Sequence, residues 1–225
     1  MFTGIIEGYG TVFKIKKENC FITYTIKVPI FLSKKLKLGA SIANNGCCLT
    51  ITDINNLFVS FDIIKESLDK TNLKYLQVND LVNLERSLKI GNEIGGHLIL
   101  GHISGIAKIC NISINHKYTK IWIQIIDVIL MKYIFYKGCI CINGVSLTIS
   151  TVLPNNLFCV YLIPETLSRT NFKTISLNQF VNIEIDYITQ IVVDSIERLK
   201  LKNITDIKHN LFKSINKLIS TFKNN

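Results

Sequence analysis

The 225-residue chain is 48% hydrophobic and only 19% charged, enough apolar material to bury one large core or two small ones and too little charge for a disordered chain. Its formal net charge of +10 comes from lysines spread along the chain, with no dense Arg/Lys block interleaved with aromatics, which argues against a nucleic-acid partner. The seven cysteines are odd in number and include no C-x-x-C, so neither a disulfide framework nor a zinc ribbon is expected. No apolar run approaches the ~18 residues of a membrane span, and the N-terminus lacks the pattern of a signal peptide. Reduced thiols in a cytoplasmic protein with no membrane partner and no bound metal are the expectation.

Taken in order, Phe21 to Val28 is rich in β-branched and aromatic residues and stops at Pro29, which predicts a strand and then a short helix. Leu49-Thr50-Ile51-Thr52 alternates apolar and polar residues, as a two-faced strand does. The Asn55-Asn56 turn leads into a strand over Leu57 to Ile64, and a short helix is predicted around Ser67 to Leu73. The pattern then recurs. Asn45-Gly46-Cys47-Cys48-Leu49-Thr50-Ile51 returns as Asn143-Gly144-Val145-Ser146-Leu147-Thr148-Ile149, five of seven positions being identical. Asp62 to Asn72 returns as Tyr161 to Asn171, and Val78 to Glu85 as Leu177 to Glu184. Gly4 to Val12 aligns more loosely with Gly101 to Ile109.

Three blocks in one order at offsets of 98 and 99, with the looser match at 97, mark a duplicated domain rather than a solenoid. The boundary falls near His97, giving domains 1–97 and 98–187, each mainly β and each a small closed barrel or sandwich. The remainder, 188–225, begins with Ile188, Ile191, Val192, Ser195, Ile196 and Leu199 at helical spacing. That unrepeated amphipathic helix serves oligomerisation or packs on the second domain; the basic tail from Asn203 has no assigned role.

Certain motifs resemble those of the riboflavin synthase family of lumazine-binding double barrels. They are Met1-Phe2-Thr3-Gly4-Ile5-Ile6-Glu7, Asn45 to Thr50, Gly95-Gly96-His97 with Gly101-His102-Ile103, Met131 to Gly138, and Leu162-Ile163-Pro164-Glu165-Thr166-Leu167. The resemblance runs from Met1 to about Leu199. It implies an all-β fold of two tandem six-stranded Greek-key barrels plus a C-terminal helix, assembled as a homotrimer with the first barrel of one subunit facing the second barrel of a neighbour. It implies the last step of riboflavin biosynthesis, without metal or organic cofactor. Two molecules of 6,7-dimethyl-8-ribityllumazine would meet in one site, and transfer of a four-carbon unit would give riboflavin and 5-amino-6-ribitylaminouracil. Association with lumazine synthase stays open.

Such chemistry needs a methyl group deprotonated on one pteridine and the other ring activated for nucleophilic addition; the ring itself delocalises charge, so polar side chains and backbone N–H groups can suffice. Side chains alternate along a strand, so Cys48 and Thr50 share one face, opposite apolar Leu49 and Ile51, and Ser146 and Thr148 share the matching face of the second half. The expected catalytic group is Cys48, Ser146, Thr148 and His102, with Cys48 a nucleophile or proton carrier and His102 a proton carrier near neutral pH. By resemblance, the first pocket is lined by Gly4, Ile5, Ile6, Cys48, Leu49, Thr50, Asp62, Ile63, Ile64, Lys65, Glu66 and Ser67, with Phe2 and Ser41 beside it. The second takes Gly101, His102, Ile103, Ser146, Leu147, Thr148, Tyr161, Leu162, Ile163, Pro164, Glu165, Thr166 and Lys137. Phe2 is expected to shield or stack on the flat ring, and Ser67 and Thr166 suit a polyol. Cys48 against Ser146, and Ile5 against His102, make the halves unequal, as donor and acceptor sites require. Each of these residues alone has a blander reading: a cysteine is commonly a small buried hydrophobe, as Cys47 is expected to be, and a threonine a good strand former.

A non-catalytic lumazine- or flavin-binding antenna protein of the same fold is the alternative, disfavoured by Cys48 and by polar site residues in both halves. A flavoprotein reductase would show an Arg-x-Tyr-Ser/Thr motif and a nicotinamide-binding domain, and the sequence has neither.

Overall fold

The computed structural model describes residues 1–17 and 21–200; Cys20 and the tail from Asn203 lie outside the described residues. In the first half, β1 (Gly8–Lys17), β2 (Phe21–Lys27), β3 (Ser41–Asn44), β4 (Cys47–Asn55), β5 (Phe58–Ile64) and β6 (Leu81–Arg86) close in the order β1-β2-β5-β4-β3-β6. In the second, β7 (Gly105–Ile114), β8 (Thr119–Ile125), β9 (Cys139–Ile142), β10 (Val145–Leu153), β11 (Leu157–Leu162) and β12 (Phe180–Ile185) close in the corresponding order. Every pairing is antiparallel, and β2 returns beside β5 rather than β3, the Greek-key crossover. Register shifts fall at matching places in the two barrels, between Val12 and Lys14, Ile51 and Asp53, Ile109 and Asn111, and Ile149 and Thr151. Such bulges sharpen the bend that closes a small barrel.

Period-two patterning fixes which side faces in. On β8, Ile121, Ile123 and Ile125 are buried while Lys120, Trp122 and Gln124 are half-buried. The first core gathers Val12, Tyr24, Ile26, Ile51, Phe61 and Leu84, and is plugged by Leu32 of α1 (Ile30–Ser33) and Leu68 of α2 (Lys65–Lys70). The second barrel has α3 (Pro164–Arg169), opened by a proline at its first turn, where the missing N–H costs no hydrogen bond. Residues 1–187 form one compact unit that includes both barrels. Residues 188–225 are a second unit, whose described part, 188–200, is helical, with Ile188, Ile191, Val192, Ile196 and Leu199 exposed.

The barrels meet across a pseudo-twofold seam built of asparagines. The Nδ2 of Asn83 donates to the Asn143 carbonyl (2.8 Å), and that of Asn182 to the Asn45 carbonyl (2.9 Å). Their Oδ1 atoms accept the backbone N–H groups of Asn171 and Asn72, both at 2.6 Å. Asn45 and Asn143 accept from Asn83 N (2.9 Å) and Asn182 N (2.8 Å) through their own side chains. All six asparagines are at least nine-tenths buried. On the axis, the backbones of Gly46 and Gly144 touch.

Candidate active site

Each half contributes a loop strip to the other half's pocket. A cavity of ≈230 Å³ beside the first barrel is lined by Cys48, by Glu66, Ser67 and Lys70 of α2, and by Gly101, His102 and Ile103. Its counterpart, ≈340 Å³ beside the second barrel, is lined by Ser146, by Glu165, Thr166 and Arg169 of α3, and by Gly4, Ile5 and Ile6. This corrects the expected grouping: Gly4, Ile5 and Ile6 belong with Ser146, and Gly101, His102 and Ile103 with Cys48. The reason lies in two backbone bonds across the seam, Cys48 N–H to Gly101 carbonyl and Ser146 N–H to Gly4 carbonyl, both 2.9 Å. The approach is close enough to demand glycine. A Cβ on Gly101 would sit 2.5 Å from that of Cys48, one on Gly4 would sit 2.6 Å from that of Ser146, and both residues have positive φ.

Two buried carboxylates hold these strips from behind. Glu85 accepts from Thr3 N (2.6 Å), Thr3 Oγ1 (2.8 Å) and Gly4 N (3.0 Å). Glu184 accepts from Leu100 N (2.8 Å) and Gly101 N (3.1 Å to one oxygen, 3.2 Å to the other). Burial raises both carboxyl pKa values against the lowering effect of these hydrogen bonds, that of Glu184 to about 7, where the nearby N-terminal ammonium also pulls it down. Because the folded value exceeds the ordinary 4.5, the folded protein takes up a proton between those limits. The stabilisation this brings is complete below about pH 4.5 and is lost as pH rises through about 7. Going from about pH 5 to 8 is therefore expected to cost wild type up to ~3 kcal/mol relative to Glu184→Gln, read by urea denaturation at both pH values.

Electrostatics separates the neighbouring cysteines. Cys47 is buried, and burial first, then Cys48 and Glu184, pushes its thiol up to about 12, which makes it inert. Cys48 is half-buried and faces the first cavity beside exposed His102. In the second cavity the Ser146 Oγ lies 2.7 Å from Nδ1 of His97. Burial lowers the His97 pKa and Asp186 partly opposes this, so the imidazole is neutral at pH 7 and able to exchange a proton with the hydroxyl. Among the described residues that line the first cavity, the one imidazole is that of His102. His97 was not among the expected site residues, nor were Lys70 and Arg169, which pair with Glu66 and Glu165 one turn earlier.

Several expected pocket residues stand elsewhere. Leu49, Ile63, Leu147 and Leu162 are barrel core, because they occupy inward positions on their strands. Phe2 is fully buried against Ala43, Ile99 and Cys141, with Cys48 packed on it, so it supports the pocket from below and offers no ring face. Thr50 and Thr148 are exposed two residues beyond Cys48 and Ser146, on the same outward faces and outside both cavities. Ile64, Lys65, Lys137 and Pro164 are exposed and line neither cavity, and Ser41 is half-buried, pairing with Thr50 across β3 and β4. Asp62 is held by Thr23 Oγ1 at 2.6 Å, and Tyr161 packs edge-on against Tyr118. Ile163 does line the second cavity. A larger cavity of ≈570 Å³ opens along the seam, but its lining of Asn, Asp80, Gln179 and aromatic residues includes no Cys, His or Lys. Among the described residues no cluster of three or more His, Cys, Asp or Glu could hold a metal ion, and no helix is long and apolar enough to cross a membrane.

The lumazine binding domain family matches twice, over residues 3–87 and 100–186, one match for each barrel. The chain belongs to the lumazine binding domain family. Among similar members, the riboflavin synthase of Buchnera aphidicola subsp. Schizaphis graminum is 51% identical over 177 residues, covering 78% of this chain and 85% of that one. The riboflavin synthase of Escherichia coli is 49% identical over 170 residues (76% and 79%), and that of Bacillus subtilis 39% over 178 (78% and 81%). Lumazine-binding double barrels also appear among solved structures. LumP complexed with riboflavin matches with a TM-score of 0.77 at 30% identity, covering 82% of this chain and 99% of that one. LumP complexed with 6,7-dimethyl-8-(1'-D-ribityl) lumazine gives 0.75 at 29%.

Proposed function

We infer that the chain is a riboflavin synthase, which converts two molecules of 6,7-dimethyl-8-ribityllumazine into riboflavin and 5-amino-6-ribitylaminouracil by four-carbon transfer. The observation that carries this reading is the pair of pseudo-twofold cavities, one lined by Cys48 and His102 and the other by Ser146, whose hydroxyl meets His97 behind it. A reaction between two identical molecules needs two related sites, and holding both converts an encounter into a unimolecular step, which lowers the barrier by roughly 7–11 kcal/mol at best. His102 and the Ser146–His97 pair are placed to move protons, and Cys48 to add to a ring or carry a proton. Thr50 and Thr148 face outward, where a barrel of a second subunit completes the site. The exposed apolar stripe on residues 188–199 supports a homotrimer held by that helix. The working location is the cytoplasm.

The antenna reading draws on the similarity to LumP, a lumazine and riboflavin binder. The higher identity to riboflavin synthases, and the proton-carrying groups in both cavities, favour the enzyme. The deciding test is to incubate purified protein with 6,7-dimethyl-8-ribityllumazine and excess chelator. Turnover at one riboflavin per two lumazines, above a protein-free control, is the expected result. Tight binding without turnover establishes the antenna protein, and a folded sample with neither overturns both readings.

A further inference from the structure

We propose that Glu85 and Glu184 are positioning residues for the reaction, each acting across the seam on the cavity of the other barrel. The proposal rests on the riboflavin synthase reading and assigns new work to groups outside the reacting set. Glu85 is on β6 of the first barrel, yet the strip it grips, Thr3 and Gly4, lies against Ser146 of the second. Glu184 is on β12 of the second barrel, and its strip, Leu100 and Gly101, lies against Cys48 of the first and leads into His102. Each strip is thus clamped between a carboxylate on one side and the backbone N–H of a reacting residue on the other. With Gly101 and Gly4 already in contact with Cys48 and Ser146, a shift of either strip moves the floor of its cavity and, in the first, His102.

The choice of residue fits this role. An ionised carboxylate offers acceptors on both oxygens and no donor, which matches consecutive N–H groups aimed at one point. Glutamine has nearly the same shape but turns an NH₂ toward one of those N–H groups. The two carboxylates are only 4% and 5% exposed, and burial raises both pKa values, so they are poor choices for stability alone. The pair is also unequal: Thr3 gives Glu85 a hydroxyl donor, whereas its repeat partner Leu100 gives Glu184 none.

The test uses Glu85→Gln and Glu184→Gln in the full chain at about pH 8, with kcat and KM for riboflavin formation, melting temperature, and riboflavin affinity by fluorescence quenching. Each variant is expected to lose ~10- to 100-fold in kcat, with a melting temperature at or above wild type. Combined with Cys48→Ala, Glu184→Gln should add little further loss while Glu85→Gln multiplies it; combined with Ser146→Ala, the order reverses. A kcat within about twofold of wild type, a loss that tracks falling melting temperature, or the same coupling to both pockets would overturn the proposal. If wild type binds riboflavin without turnover, the enzyme reading fails but positioning is still decided: each Gln variant weakening one class of site supports it, and unchanged affinities refute it. If wild type neither turns over nor binds, both readings fall together.

Discussion

Asn182→Ala is expected to lower the unfolding free energy by about 2–6 kcal/mol, because it strands two buried groups at ~1–3 kcal/mol each. The Asn72 N–H loses its 2.6 Å acceptor and the Asn45 carbonyl its 2.9 Å donor, at a position with no exposed surface. Nothing apolar is gained in return, since the neighbours are themselves asparagines committed to one another. Asn83→Ala should behave alike, as it frees the Asn171 N–H and the Asn143 carbonyl. For a domain with ~5–15 kcal/mol of stability, this loss approaches unfolding at physiological temperature. Urea denaturation followed by the fluorescence of Trp122 gives the value for the second barrel directly. A loss below about 1 kcal/mol would mean that water replaces the side chain and the seam is not a closed network.

Cys48→Ala and Ser146→Ala are each expected to reduce turnover about 100-fold or more, with the melting temperature nearly unchanged. Each deletes a single heavy atom from a half-buried position that faces a cavity, so little packing is lost. Removing the Ser146 hydroxyl also leaves His97 without its 2.7 Å partner, and loss of a positioned proton carrier typically costs ~10²–10⁴-fold. Steady-state riboflavin formation by the purified variants checks this, and wild-type rates in both would remove the two residues from the reaction. Cys47→Ala separates the two thiols: Cys47 also borders the first cavity, but its thiol is buried with a raised pKa, so a much smaller loss of kcat than for Cys48→Ala is expected.

The barrels were legible because their cause is local. Period-two alternation, turn asparagines and a repeat at offsets of 97 to 99 are all written along the chain; the strands expected over Phe21 to Val28 and Leu57 to Ile64 match β2 and β5 to within a residue at each end, while Leu49 to Thr52 is the middle of the longer β4. The seam was half legible. Asn45, Asn72 and Asn83 and their repeat partners stand inside the very blocks that revealed the duplication, but a single chain read linearly does not say that a turn asparagine faces the other domain. The crossing of Gly4 and Gly101 to opposite pockets was not legible at all. It depends on how two finished barrels dock, which no strand pattern encodes, so each strip was grouped with its own half. Phe2 misled for a related reason: an aromatic beside a pocket motif suggests a stacking platform, and only its complete burial shows it to be a support.

The exchange of strips has a consequence for how such a site could arise. Two separate copies of one barrel related by a true twofold axis must present identical half-sites, since symmetry copies every substitution into both. They would also hold each other's strips only as tightly as their concentration allowed. The covalent connection through residues 87–96 removes that dependence by fixing a high effective concentration. It also breaks the symmetry at the level of the gene. The residue beside Cys48 can become His102 while the one beside Ser146 stays Ile5. A reaction that asks two identical molecules to play different parts needs that inequality, and a homodimer of single barrels could not have evolved it.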